Sequence, residues 1–194
     1  MSTTVALSLR LKTETSAEHE RMHRLMAECA PFASRERYAR FVAAQYLFQR
    51  DVEHLFADPR VQAAVPDLAV RGRAEASLAD LADLDTPAPV EGIATTDVTM
   101  PEALGWIYVS EGSTLGAAFL LKEVGEKLGL DASFGARNLA AYPEGRMRVW
   151  KRFVEALDAE QLHPAHQAVV DGAHAAFRRF GDLLAHEFAQ DSTA

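Results

Sequence analysis

The chain has 194 residues, with 20 Lys and Arg against 28 Asp and Glu, a formal net charge of −8, and 48% hydrophobic and 25% charged content. That balance suits one folded, soluble domain and excludes a disordered or low-complexity chain. No stretch approaches the roughly 18 consecutive apolar residues of a membrane span, the acidic surplus argues against nucleic acid and anionic membranes as main partners, and a lone cysteine, Cys29, excludes internal disulfides and thiolate-rich metal sites.

Residues 1–194 read as a single domain, with 1–10 and 190–194 as flexible ends. Met1 to Leu11 lacks the long apolar run and small-residue cleavage site of a secretory signal, so a cytoplasmic location is expected. Val5 to Leu11 shows a short alternation that imitates a strand; everywhere else the apolar spacing is helical and the fold class is all-α. A first helix covers about Leu11 to Cys29, with His19, Met22, Met26 and Cys29 on one face, and Pro31 ends it. Ser34 caps a second helix whose apolar stripe, from Tyr38 to Phe56, includes two amides, Gln45 and Gln49. Asp58-Pro59 and Pro66-Asp67 bracket a short helical turn. A third helix then runs from about Asp67 to Leu84, with Leu68, Leu78 and Leu81 inward.

Residues 85–98 hold prolines, a glycine and threonines and read as one long connection. Thr99-Met100-Pro101-Glu102 has the form of a capping box with proline just inside a fourth helix that continues to about Leu128. A loop from Gly129 to Pro143 leads to a fifth helix with Trp150, Phe153, Val154 and Leu157. Pro164 starts the last helix, edged by Val170, Phe177, Phe180 and Leu184.

The fourth helix carries Gly105, Gly112 and Gly116 in its interior, where each glycine costs about 0.5–1 kcal/mol relative to alanine. Close packing of another helix against the backbone accounts for such a pattern; so does a flat ligand lying on it. Residues 112–116 are neither a phosphate loop nor a nucleophile elbow, lacking the Gly-Lys-Ser/Thr ending and a preceding strand. His19 and His23, one turn apart beside Met22 and Met26, suit either a hydrogen-bonded interfacial pair or a helix that presents an imidazole to heme iron. Glu20-x-x-His23 and Glu160-x-x-His163 match the di-iron carboxylate pattern, for which Glu53 and Glu111 are the available further donors. His54, His166, His174 and His186 have no suitable sequence neighbours and read as surface residues. Cys29 reads as a small buried apolar residue. Gln45 and Gln49 imply a polar network or ordered water within the apolar stripe.

Taken together the chain resembles the bacterial heme oxygenases along essentially its whole length. The resemblance rests on Thr15-Ser-Ala-Glu-His19, Phe41-Val-Ala-Ala-Gln-Tyr-Leu-Phe-Gln49, Gly105 to Leu120, Phe134-Gly-Ala-Arg-Asn-Leu139 and Ala176-Phe-Arg-Arg-Phe-Gly-Asp-Leu-Leu184. It implies a helical bundle that holds heme b between a proximal helix and a distal helix kinked at Gly112 to Gly116, with His19 as the iron ligand. It further implies that heme is both cofactor and substrate, opened by dioxygen to biliverdin, carbon monoxide and ferrous iron with electrons from a separate reductase or ferredoxin.

By the same resemblance Gly112 and Gly116, with Ser113 between them, leave room over the porphyrin, and Gln45, Gln49 and Thr114 hold water that supplies protons. His23 stands where several relatives carry an acidic residue. Lys12 matches a lysine of relatives that open the α-meso position, so the IX-alpha isomer is expected, with Lys12 and Arg73 as propionate partners and Phe177 and Phe180 at the heme edge. A non-catalytic heme carrier or sensor on the same fold is the alternative function. A phytochrome is a candidate biliverdin acceptor, and Arg137, Arg146, Arg148, Lys151 and Arg152 a candidate docking face for an acidic redox partner.

Overall fold

The computed structural model describes residues 5–159 and 164–189. They form helices α1 (Leu7–Glu14), α2 (Ser16–Cys29), α3 (Arg35–His54), α4 (Pro59–Ala64), α5 (Leu68–Arg71), α6 (Ala74–Asp83), α7 (Ala103–Leu128), α8 (Arg137–Ala140), α9 (Arg146–Leu157) and α10 (His166–Ala189). No strand occurs among the described residues, only isolated bridges from Asp131 to Phe134 and Gly135. Among the described residues no helix is long and apolar enough to cross a membrane.

Several ends follow directly from local chemistry. Ala30 adopts a left-handed conformation (φ 42°) and closes α2 just before Pro31. Ser34 accepts a hydrogen bond from the Arg37 amide at 3.2 Å and starts α3. Asp58 accepts from the Arg60 amide, with Pro59 in the first turn of α4. Gly129 ends α7 at φ 68°, where its N–H reaches the Gly125 carbonyl.

Other ends differ from the expectation. The alternation at Val5 to Leu11 belongs to α1, whose Leu7 and Leu11 are fully buried, so residues 7–10 are part of a packed helix rather than a flexible end. The first helix is broken at Thr15, whose buried hydroxyl donates to the Leu11 carbonyl. The third is broken at Gly72 and Arg73, where the Glu53 carboxylate of α3 accepts from the Arg73 and Ala74 amides and so caps α6. Leu78 of α6 is 42% exposed and does not face inward. At the fourth helix Met100–Pro101 is cis, Glu102 makes no side-chain cap, and the helix begins at Ala103, so there is no capping box with proline inside the helix. Residues 190–194, 1–4 and the Glu160-x-x-His163 pattern lie outside the described residues.

The central element is α10, against which α3, α7, α2 and α1 all pack. Its crossing with α7 is made at paired glycines: a Cβ on Gly105 would lie 2.1 Å from the Val169 carbonyl oxygen, and one on Gly172 would lie 2.1 Å from that of Glu102. Only bare Cα atoms allow backbones so close. The buried side chains join in one core in which Phe41 and Phe48 of α3 meet Phe180 of α10 at ring distances of 6.5 and 5.4 Å. The long connection is sewn down, since Asp51 accepts from the Ala94 amide and Arg179 pairs with both Asp51 and Glu91.

Candidate functional site

Helices α2 and α7, which carry the candidate site residues His19, Gly112 and Gly116, both pack on α10. On α2 only Cys29 is buried, and burial pushes its thiol up, in keeping with an apolar role. His19 and His23 are exposed and their rings meet edge to face at 4.6 Å; neither is hydrogen-bonded to a described residue. Partial burial, and then His23, push the His19 imidazole below its ordinary value. The neutral ring, the form that ligates a metal, is therefore favoured.

On α7 the three glycines divide into two kinds. Gly105 is the crossing with α10, the packing explanation. Gly112 is half-buried, with the Trp150 ring 3.7 Å from where its Cβ would be, and Gly116 is exposed and meets nothing within 4 Å. Phe119, one turn beyond Gly116, is 79% exposed. The helix is uninterrupted from Ala103 to Leu128, so the expected kink at Gly112 to Gly116 is not a break in it.

Behind that face lies a polar chain. The Arg73 guanidinium is buried and donates to the Ser110 carbonyl (2.8 Å), the Ser110 hydroxyl (2.9 Å) and the Ser113 hydroxyl (3.3 Å). Ser110 in turn donates to Gln49 Oε1 at 3.2 Å. Gln45 is half-buried, and its Oε1 is enclosed without a protein partner, an acceptor that water or a ligand would satisfy. Exposed Ser113, beside Gly112, is where this chain reaches the open face.

Two expected roles change here. Arg73 is held inside against α7 rather than standing at a ligand's edge, and it braces the glycine-bearing segment. Thr114 is fully buried and donates to the Glu111 carbonyl, so its hydroxyl lies away from the open face. Lys12 is exposed on α1 and makes no ion pair with a described residue. Phe177 and Phe180 are half-buried on α10.

The two further donors offered for a di-iron site are committed elsewhere. Glu53 caps α6, and Glu111 forms a buried ion pair with Arg71 at 2.6 Å while accepting from the Tyr142 hydroxyl at 2.7 Å. Among the described residues no group of three His, Cys, Asp or Glu could hold a metal ion. His174 is no isolated surface residue, since its Nδ1 lies 2.6 Å from Glu18 of α2.

Of the basic cluster, Arg137 pairs with Asp80 and Asp83, Arg152 with Asp67 and Glu144, and Arg146 donates to the Thr114, Leu139 and Ala140 carbonyls. That leaves Arg148 and Lys151 exposed without an ion-pair partner among the described residues, and the five-cation docking face is not present as expected. Sequence reasoning missed Trp150 as a neighbour of Gly112 and the Arg71–Glu111–Tyr142 cluster. Its one available signal was an interior Glu beside Gly112 on a helix otherwise rich in apolar residues.

Residues 5–186 match the family model for heme oxygenase. The chain belongs to the heme oxygenase family. It is 48% identical to heme oxygenase PigA of Pseudomonas aeruginosa, over 94% of this chain and 93% of that protein. The NO- and CO-bound heme oxygenase of Neisseria meningitidis superposes with a TM-score of 0.88 at 35% identity, covering 98% of this chain and 96% of that one. Heme oxygenase of Leptospira interrogans, at 19% identity and a TM-score of 0.75, covers 94% of this chain and all of that one and shares the fold. This chain is thus a heme oxygenase by family, an enzyme of heme degradation on an all-helical fold.

The residues present fit heme: an unpartnered imidazole on α2, bare glycine backbone on α7, and an enclosed orphan acceptor at Gln45.

Proposed function

We propose that this chain holds heme b between α2 and α7, with His19 on the iron, and opens it at the α-meso position to biliverdin IX-alpha, carbon monoxide and ferrous iron. Bound heme supplies both the iron that activates dioxygen and the macrocycle that is opened. The observation that carries the reading is the pairing of an exposed imidazole lacking a hydrogen-bond partner with an exposed interior glycine that has nothing within 4 Å.

Each residue then has a limited task. His19 ligates as the neutral ring. Gly112 and Gly116 let the backbone lie on the porphyrin face and place no ionisable side chain there. Gln45, Gln49 and Ser113 hold water through which protons reach the face, with Arg73 fixing Ser110 and Ser113 in place. Lys12 pairs with a propionate and sets the rotation of the ring, with Phe177 and Phe180 along its edge. Electrons come from a separate reductase or ferredoxin. The location is the cytoplasm, and a phytochrome is one acceptor for the bilin.

Hemin titration tests the reading. A Soret band is expected, weakened by His19→Ala, and under a reductant and air it gives way to a bilin spectrum. A Soret band that persists under those conditions leaves a carrier, and mainly β or δ isomer among the products removes the role of Lys12.

A further inference from the structure

α2 packs on α10 and α1. Its second half rests on the core through Leu25, Met26 and Cys29, and two side-chain contacts with α10 lie on its first half. Glu18 Oε1 is 2.6 Å from His174 Nδ1. Arg21 and Met22 cover Gly181, where an added Cβ would come within 2.8 Å of Arg21 Nη2 and 3.5 Å of Met22 Cε. His174 and Gly181 are about two turns apart and share one stripe of α10. On α2, Glu18 and Met22 are one turn apart and share the face turned to that stripe.

His19 follows Glu18 and therefore points about 100° around the helix from it. The rotation of α2 on α10 thus sets the direction of the imidazole. Glu18 is also poorly compensated without its partner: Oε2 is enclosed and unpaired, so His174 is the group that offsets the half-buried carboxylate.

We propose that His174 is a positioning residue for His19, holding α2 through Glu18 at the rotation that aims the imidazole at the ligand. The proposal rests on the reading that His19 binds heme iron. His174 makes no contact with the iron; its effect passes through Glu18 and one step of the α2 backbone.

The test uses the full chain loaded with hemin, and resonance Raman of the ferrous complex reports the iron–histidine stretch. In His174→Ala the stretch shifts or broadens and the hemin dissociation constant rises about five- to tenfold, the scale of one hydrogen bond to a charged group partly lost. His174→Gln, which keeps a donor, recovers most of both. His174→Ala with Glu18→Ala is no worse than either alone, because the two act as one unit.

A stretch and affinity unchanged in His174→Ala, additive effects in the double variant, or no recovery by glutamine overturns the positioning role while leaving wild-type heme binding intact. Should His174→Ala not fold, Glu18→Ala is read the same way, with a wild-type stretch overturning the proposal. A wild-type protein with no His19-dependent Soret band overturns this role and the heme reading together.

Discussion

Gly105 and Gly116 occupy one helix and lack the same atom, yet they answer to different constraints. A Cβ on Gly105 would stand 2.1 Å from a backbone oxygen of α10, which cannot give way, whereas one on Gly116 would meet nothing. Gly105→Ala is expected to destabilise by about 3 kcal/mol, as overpacking against a rigid neighbour does, with circular dichroism melting as the measurement. Gly116→Ala is expected to do the reverse, raising stability by about 0.5–1 kcal/mol through helix propensity. The same methyl would stand on the face assigned to heme, so hemin affinity falls by about tenfold even as the melting temperature climbs. A Gly116→Ala protein with better stability and unchanged hemin affinity would place the ligand elsewhere. The opposite signs of the two substitutions separate a glycine kept for packing from one kept for a ligand.

At the scale of elements, the back of α7 is fixed by ionic contacts to segments distant in sequence. Arg71 is fully buried; it pairs with Glu111, donates to the Val149 and Pro66 carbonyls, and lies over the Phe153 ring. Arg71→Met leaves the Glu111 carboxylate enclosed and uncompensated, and about 3–5 kcal/mol of unfolding free energy should be lost in denaturant titration. Tyr142→Phe, which removes one donor from the same carboxylate, should lose about 1–2 kcal/mol.

The loop before α8 is tied to α6 by Arg137 and the Gly135 amide at Asp83, and these hold the Asp83 carboxyl below its usual range, Arg137 contributing most. A lowered folded value means the contribution is present above the ordinary carboxylate pKa of about 4 and is lost as pH falls through the lower value. Melting followed from pH 6 downward should therefore show a decline below about pH 4 that Asp83→Asn flattens. These ties also mark where the sequence stops being legible. The Ser34 cap, the glycine end of α7 and the order of the main helices are written locally and were readable. The break at Gly72 and Arg73 was not, because the cap that makes it is Glu53, a residue of another helix. Arg73 as a propionate partner and Thr114 as a holder of water came from resemblance alone; that both are buried depends on neighbours that arrive from far along the chain.

For the molecule as a whole, the two helices proposed to enclose heme are each anchored to α10, so a ligand between them would tie α2 to α7 across the gap. Such a ligand must stabilise the fold by mass action, since the unfolded chain has no such site. At free hemin of about 100 times its dissociation constant the gain is about 2.7 kcal/mol. For a chain of this length each kcal/mol moves the melting temperature by about 2–4 °C, so loading should raise it by about 5–10 °C. His19→Ala removes the proposed iron ligand, and most of that rise should vanish while the melting of the ligand-free variant stays near wild type, because His19 is exposed and makes no hydrogen bond with a described residue. Differential scanning calorimetry of both proteins with and without hemin gives the comparison. An equal rise in the two would mean that hemin is held by its hydrophobic surface without ligation, and would leave α2 without the role that its exposed histidine suggests.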